Sequence, residues 1–132
     1  MVSRRWMIGL MVALMASLTA CSYGNTQVRL GWVETSRSSG IEARFDRFDG
    51  MELRSLNLDV GDQLVIDFQA ELDNGSLDVQ MLDPDGSLVD EARFDKPGNA
   101  RITVTAEDEG NYRIQIVGKG ASGGFVVHWE RN

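Results

Sequence analysis

The stretch Leu64-Val-Ile-Asp-Phe-Gln-Ala-Glu-Leu72 places an apolar residue at every second position. This alternation predicts a β-strand with one buried face and one face in water. Asp73-Asn-Gly75 follows, and an Asn-Gly pair is typical of a two-residue hairpin because both residues tolerate positive φ. The sequence therefore predicts a strand that reverses at Gly75 into a second strand, Ser76 to Leu82.

The same alternation recurs along the chain beyond residue 27, with turn residues between the segments. Asp83-Pro-Asp-Gly86 predicts a tight turn, and the glycine-rich segment Gly118 to Gly124 predicts a flexible loop. A slip of the apolar phase predicts a bulge near Ser55. The fold class is therefore all-β, an eight- or nine-stranded antiparallel, jelly-roll-like β-sandwich. The candidate strands are 28–34, 41–48, 51–58, 64–72, 76–82, 88–94, 101–106, 111–117 and 125–130.

Length and charge exclude several classes of protein. The chain has 132 residues, 13 of them basic and 20 acidic, with a formal net charge of -7. This size excludes a multidomain enzyme, and the acidity argues against nucleic acid as a partner. One cysteine and one histidine supply neither an internal disulfide nor the ligands of a structural zinc site.

The N-terminus has the layout of an export signal. Arg4 and Arg5 precede a short apolar run, Trp6 to Ala16, whereas a transmembrane helix needs about 20 such residues. Leu18-Thr-Ala-Cys21 then resembles the lipobox of bacterial lipoproteins. The resemblance implies cleavage after Ala20 and covalent diacylglycerol and acyl groups on Cys21; no other cofactor is expected.

These features predict three segments and a location. Residues 1–20 form a lipoprotein signal peptide, residues 21–27 the lipidated cysteine and a tether, and residues 28–132 the β-sandwich domain. The protein would be extracytoplasmic and lipid-anchored to a bacterial membrane, with the inner and outer membranes both open. Cleavage would leave 11 basic and 20 acidic residues, so lipid and not charge would hold the domain at an anionic bilayer.

The run from Leu56 to Val117 resembles the bacterial pre-peptidase C-terminal domain and related GOLD-like β-sandwiches. The tail from Gly120 to Trp129 is similar to the closing strand of small envelope lipoproteins with this sandwich. The resemblance implies a sandwich with a binding or structural role and brings no catalytic residues. It rests on Val60-Gly-Asp-Gln-Leu64, Gly75-Ser-Leu-Asp-Val79, Asp83-Pro-Asp-Gly86 and Glu109-Gly-Asn-Tyr-Arg-Ile-Gln-Ile116.

Residues that could carry catalysis are few. His128 is the only histidine, and its alternation with Val127 and Trp129 predicts a surface position beside a core tryptophan. Ser122 lies in a glycine-rich segment without a nucleophile-elbow pattern. Cys21 would be acylated, so it could not act as a nucleophile. We expect no enzyme and no catalytic residues.

Two kinds of binding residue are weak candidates. Asp73, Asp83 and Asp85 could offer oxygen ligands to calcium, yet EF-hand spacing is missing and aspartate is common in turns, so no metal site is expected. Among the aromatic residues, Trp32 alternates with apolar neighbours and predicts a core position. Phe48 falls just outside the alternation of its strand and predicts an exposed ring, which often marks an interaction site.

Two functions are compatible with these residues. The first is a non-catalytic, membrane-anchored envelope lipoprotein whose sandwich binds an envelope protein or a cell-wall glycan, or has a structural role. The alternative is a carbohydrate- or calcium-binding accessory module of an envelope hydrolase. A groove with converging polar side chains would favour the alternative.

Overall fold

A computed structural model describes residues 27–132; the expected signal peptide, Cys21 and the tether up to residue 26 lie outside the described residues. Every pairing in this part is antiparallel, which confirms the predicted fold class. No helix in residues 27–132 is long and apolar enough to cross a membrane. The strands are β1 (Val28–Leu30), β2 (Val33–Arg37), β3 (Gly40–Leu58), β4 (Gln63–Leu82), β5 (Leu88–Phe94), β6 (Gly98–Thr105) and β7 (Gly110–Arg131).

The described part has seven strands instead of eight or nine because three strands are much longer than predicted. β3, β4 and β7 each join two predicted strands and have 19, 20 and 22 residues. The predicted first strand, in contrast, is interrupted at Gly31 and Trp32 and becomes β1 and β2. Strand order in the sheet is β1-β3-β7-β4-β5, with β2 on β3 and β6 on β4.

The long strands bend where the sequence predicted reversals. Pairing is irregular between Phe45 and Gly50 in β3 and between Leu72 and Ser76 in β4, opposite residues 118–123 of β7. We call this line the crease. Gly75 has the positive φ of 77° that the Asn-Gly signal implied. The hairpin prediction is nevertheless wrong, because Asn74 pairs with Ser122 and β4 continues.

The predicted loop Gly118 to Gly124 is also wrong, since these residues belong to β7. Their glycines bend the strand at the crease without breaking it. Folding along the crease converts one sheet into two layers. The first layer contains β2, β6 and the parts of β3, β4 and β7 that pair with them, and the second layer contains β1, β5 and the remaining parts.

Aromatic contacts show that the layers face each other. Phe94 in β5 of the second layer stacks on Phe68 in the first layer, with ring centroids 5.4 Å apart, and Phe68 stacks on Phe125 at 5.7 Å. The Trp129 side chain is buried in the same core, as predicted. Burying each such side chain contributes about 1.5–3 kcal/mol. The turns 59–62, 83–87 and 106–109 lie away from the crease, at what we call the open end.

The phase slip in β3 has a different cause from the predicted one. β3 pairs with β7 without interruption from Gly50 to Leu58, so the bulge near Ser55 is wrong. Met51 and Leu53 face outward and are exposed, whereas Glu52 at the alternate phase is buried. The inward positions of this segment therefore hold Glu52 and Arg54 where apolar residues were expected.

The carboxylate of Asp49 bridges the crease. It accepts hydrogen bonds from Arg47 Nε at 2.6 Å and from the backbone N–H of Gly120, and these bonds hold its pKa below the ordinary value of 3.8. Because the pKa of Asp49 is lower in the folded state than in the unfolded chain, its ionised carboxylate stabilises the fold. This stabilisation is fully present at pH values above the ordinary pKa. That stability disappears as the pH falls through the lower, folded-state pKa.

We therefore expect Asp49→Asn to be slightly less stable than the wild type at neutral pH and to approach it in strong acid. Urea unfolding of both proteins across the acid range measures this difference. A gap that stays constant with pH would contradict the ionic role of Asp49. Because about a third of the Asp49 side chain, 32%, is exposed, screening by solvent keeps the effect small.

Candidate functional site

The outer face of the first layer carries two rows of cross-strand neighbours. His128 in β7 pairs with Asp67 in β4, which pairs with Arg101 in β6. Along the next row, Val126 pairs with Gln69, which pairs with Asn99. Side chains opposite each other on one face lie close together. The antiparallel register thus gathers five polar side chains and one valine from three strands.

These rows line a depression of about 350 Å³. A second depression of about 120 Å³ shares Val126 and His128 and extends toward Thr35 and Arg37 of β2. A third, of about 470 Å³, shares Gln69 and Asn99 and extends to the crease. Because the three share residues, we treat them as one groove. The first depression is lined by Asp67, Phe68, Gln69, Asn99, Ala100, Arg101, Val126 and His128.

Gly40 helps to keep the groove open beside His128. It occupies an outward position on β3 opposite His128 and lines the second depression. A methyl group at Gly40 would lie 2.8 Å from the carbonyl oxygen of Val127 and 3.6 Å from His128 Nδ1. A larger side chain would therefore fill the groove at this point.

An arginine and an aspartate fix one side of the groove. Arg101 Nε donates a hydrogen bond to Asp67 Oδ1 at 2.7 Å, and Nη2 donates to Oδ2 at 3.4 Å. The hydrogen bond to Asp67 raises the pKa of Arg101 above its ordinary value. A two-bond pair of this kind holds both side chains in a defined orientation. Arg101 remains 69% exposed, so it stays accessible to a ligand.

The remaining polar side chains of the groove are also open to solvent. Gln69, Asn99 and His128 are exposed, and Asp67 is half-buried. Amides offer both donors and acceptors, a carboxylate only acceptors, and a guanidinium only donors. The groove therefore presents mixed hydrogen-bonding groups around an apolar strip at Val126, a set that suits a polyhydroxylated ligand.

The outer face of the second layer differs in how its polar groups are used. Gln115 Nε2 donates to Gln80 Oε1 at 3.1 Å, and Gln80 Nε2 donates to Glu91 at 3.5 Å. Arg93 lies 3.6 Å from Asp78. The amides of this face satisfy each other across the strands, whereas the amides of the groove are open. This contrast makes the groove the better candidate site.

The predicted binding residues fall elsewhere. Phe48 is fully buried, so the prediction of an exposed ring is wrong. The irregular pairing on both sides of Phe48 turns its side chain inward at the crease, which the simple alternation could not show. Trp32 is half-buried and stacks on Phe45 with ring centroids 5.4 Å apart. Neither ring forms an exposed platform.

The three calcium candidates do not come together. Asp73 lies at the crease, while Asp83 and Asp85 lie in a turn at the open end. Asp83 Oδ1 accepts hydrogen bonds from the backbone N–H groups of Asp85 and Ser87, the local role that aspartate often has in turns. Within residues 27–132, no group of three or more His, Cys, Asp or Glu side chains could hold a metal ion.

A second polar cluster, missed by the sequence analysis, lies between the layers. The buried Glu52 carboxylate accepts hydrogen bonds from Arg29 Nη1 at 2.7 Å and from Arg54 Nη1. Arg54 also reaches Glu34 on β2 in the opposite layer at 3.5 Å. The guanidinium of Arg29 lies 4.5 Å from the ring centroid of Trp32. This cluster fastens β1 and β2 to the sandwich.

Comparison with known proteins supports the fold. No protein-family model matches the sequence, and no curated protein matches it. The chain is similar to a solved structure described as "CBM4 structure and function", with 15% identity, a TM-score of 0.50 and coverage of 86% of this chain and 83% of that one. A carbohydrate binding module, CBM6cm-2 from Cellvibrio mixtus lichenase 5A in complex with cellotriose, is similar at 14% identity and a TM-score of 0.46, covering 81% of this chain and 88% of that one. The likeness to the structure described as CBM4 is one of fold alone, and the fold is a β-sandwich.

Proposed function

We propose that this protein is a non-catalytic glycan-binding module of the bacterial envelope. The observation that carries the proposal is the groove, where Asp67, Gln69, Asn99, Arg101 and His128 converge from three strands of one layer. The β-sandwich shared with the structure described as CBM4 is compatible with this role. A cell-wall or surface glycan near the membrane is the ligand class that this chemistry and location favour.

The groove suits a sugar chain for a physical reason. Neighbouring hydroxyl groups of a sugar can donate to a carboxylate or an amide oxygen and accept from a guanidinium or an amide nitrogen. The Arg101–Asp67 pair supplies donors and acceptors in a fixed orientation. A groove that continues from β2 to the crease gives an extended chain several points of contact.

We also propose that the module is anchored through lipid on Cys21, as the lipobox Leu18-Thr-Ala-Cys21 predicts. Two or more acyl chains give stable anchoring. The resemblance to pre-peptidase and GOLD-like sandwiches, which implies a binding or structural role, belongs to the same proposal. The anchor would hold the groove close to glycans of the envelope.

Removing the guanidinium from the groove tests the function. We expect Arg101→Ala to weaken glycan binding about 10- to 100-fold, the effect of losing one charged hydrogen bond worth about 1.5–3 kcal/mol. Isothermal titration measures it, with muropeptides, lipopolysaccharide oligosaccharides and neutral β-1,4-linked oligosaccharides as probes.

Arg93→Ala is a matched control. Arg93 is 70% exposed, as Arg101 is 69% exposed, and it forms a looser ion pair, 3.6 Å from Asp78 of β4, on the outer face of the second layer. Each exposed pair contributes at most about 1 kcal/mol to folding, so both variants should fold. Equal losses of binding in both variants, or no binding of any probe by the wild type, would count against the groove.

A further inference from the structure

Exposed aliphatic side chains cluster at one corner of the sandwich. Val28, Leu30 and Val33 are 36%, 56% and 68% exposed. They flank Gly31 and Trp32, where the chain passes from β1 in the second layer to β2 in the first. We call these three side chains the corner patch.

The corner patch lies on the outside of the bend. Val33 pairs with Arg44, directly before the irregular pairing in β3, and Leu30 pairs with Arg47, within it. Between Leu30 and Val33, the Trp32 ring packs against Phe45 and against Phe48, whose ring centroid is 5.0 Å away. With Trp32 packed against the core, its aliphatic neighbours remain at the surface.

The patch is the part of the domain nearest in sequence to the expected lipid anchor. Val28 directly follows Gln27, which lies only six residues after Cys21. Six residues reach at most about 20 Å when fully extended. A lipidated Cys21 would therefore keep Val28 within about 20 Å of the bilayer surface, a range in which the patch can either contact the headgroups or stay clear of them.

Charge distinguishes the two ends of the sandwich. Around the patch, Arg29, Arg44 and Arg47 are paired with the carboxylates of Glu52, Glu71 and Asp49, and Asp46 adds one more carboxylate, so this end carries little net charge. An anionic bilayer attracts basic groups and repels acidic ones within about a Debye length. The turns of the open end carry many more carboxylates, and Arg131 lies close to that of Asp62. The acidic residues of these turns are Asp59, Asp62, Asp83, Asp85, Glu107, Asp108 and Glu109.

We propose that the corner patch contacts the lipid headgroup region and that the open end points away from the membrane. The inference rests on the proposed anchor at Cys21 and adds an orientation to it. Aliphatic side chains at the interface gain by leaving water, and the acidic turns gain by distance from anionic lipid. The groove, on the outer face of the first layer, then stays accessible to glycans beside the membrane.

Fluorescent labels at the two ends test this orientation. In the mature lipoprotein the Cys21 sulfur would be alkylated, so Leu30→Cys and Asp85→Cys would each provide one reactive thiol. Each variant is labelled with bimane and reconstituted in vesicles of phosphatidylethanolamine and phosphatidylglycerol that contain nitroxide-labelled lipid. We expect several-fold stronger quenching at position 30 than at position 85.

The outcomes separate the orientation from the anchor. Intact mass shows whether Cys21 carries lipid, and an unmodified Cys21 would overturn both the anchor and the orientation. Lipidated protein with equal quenching at both positions, or stronger quenching at position 85, overturns the orientation alone. A label at position 30 that is shielded from a soluble quencher without being quenched by lipid points to a protein partner or a second copy, and also overturns it.

Discussion

Replacing Phe48 with alanine is expected to lower the free energy of unfolding by about 3–5 kcal/mol. The Phe48 ring is fully buried and lies 5.0 Å from Trp32 and 5.4 Å from Phe45, measured between ring centroids. It also packs so closely over Gly118 that a methyl group there would overlap the ring. Truncation would leave a cavity at the crease, where the surrounding backbone belongs to continuous strands and has little freedom to close it.

Equilibrium urea unfolding measures this loss, and Leu53→Ala on the same strand is the control. Leu53 faces outward and is 41% exposed, so its truncation should change stability by about 0.5 kcal/mol or less. The ratio of the two effects distinguishes a buried Phe48 from the exposed ring that alternation predicted. A Phe48→Ala protein as stable as Leu53→Ala would contradict the packing described for the crease.

Much of the fold is visible in the sequence because burial follows local alternation. Leu64, Ile66, Phe68, Ala70 and Leu72 are all buried, as their spacing predicts. The turn at Asp83 to Gly86 forms with a hydrogen bond from Gly86 N–H to the Asp83 carbonyl oxygen at 2.9 Å. These features depend only on residues close together in the chain.

The crease could not be predicted in the same way. Asn74-Gly75 correctly signals a positive φ, but a positive φ serves a hairpin and a bulge equally well. The choice depends on β7, which runs beside both halves of β4 and pairs with Asn74 through Ser122. A partner strand nearly fifty residues away in sequence therefore decides the local geometry.

The groove was hidden for a related reason. The polar positions of ordinary alternating strands hold Asp67, Gln69, Arg101 and His128. In the sequence, such positions look the same whether they form a site or only face water. Only the pairing register places His128 beside Asp67 and Asp67 beside Arg101. Glu52 and Arg54 did leave a signal, because they put charge at the inward phase of β3, but a bulge explained the same pattern.

The crease also determines the second large effect, which we expect from Gly123→Ala. Gly123 has a φ of 121°, a conformation that residues with a side chain rarely adopt. A methyl group at Gly123 would overlap the carbonyl oxygen of Glu71 and lie 3.2 Å from the backbone nitrogen of Asp73. Backbone strain of about 1–3 kcal/mol and overpacking of similar size together predict a loss of about 3–5 kcal/mol.

Gly120→Ala is the control that separates steric overlap with β4 from the strain of a positive φ. Gly120 lies on the same segment of β7 with a φ of 55°, and a methyl group there would meet no atom within 4 Å. Its substitution should cost only the left-handed conformation, about 1–2 kcal/mol. Urea unfolding of both variants measures the difference. Equal stability of the two variants would mean that the added methyl group at position 123 meets no backbone atom of β4. β4 and β7 would then lie farther apart than the crease requires. The continuous strands that hold the two layers face to face, and the groove residues in register, would then lose their physical basis.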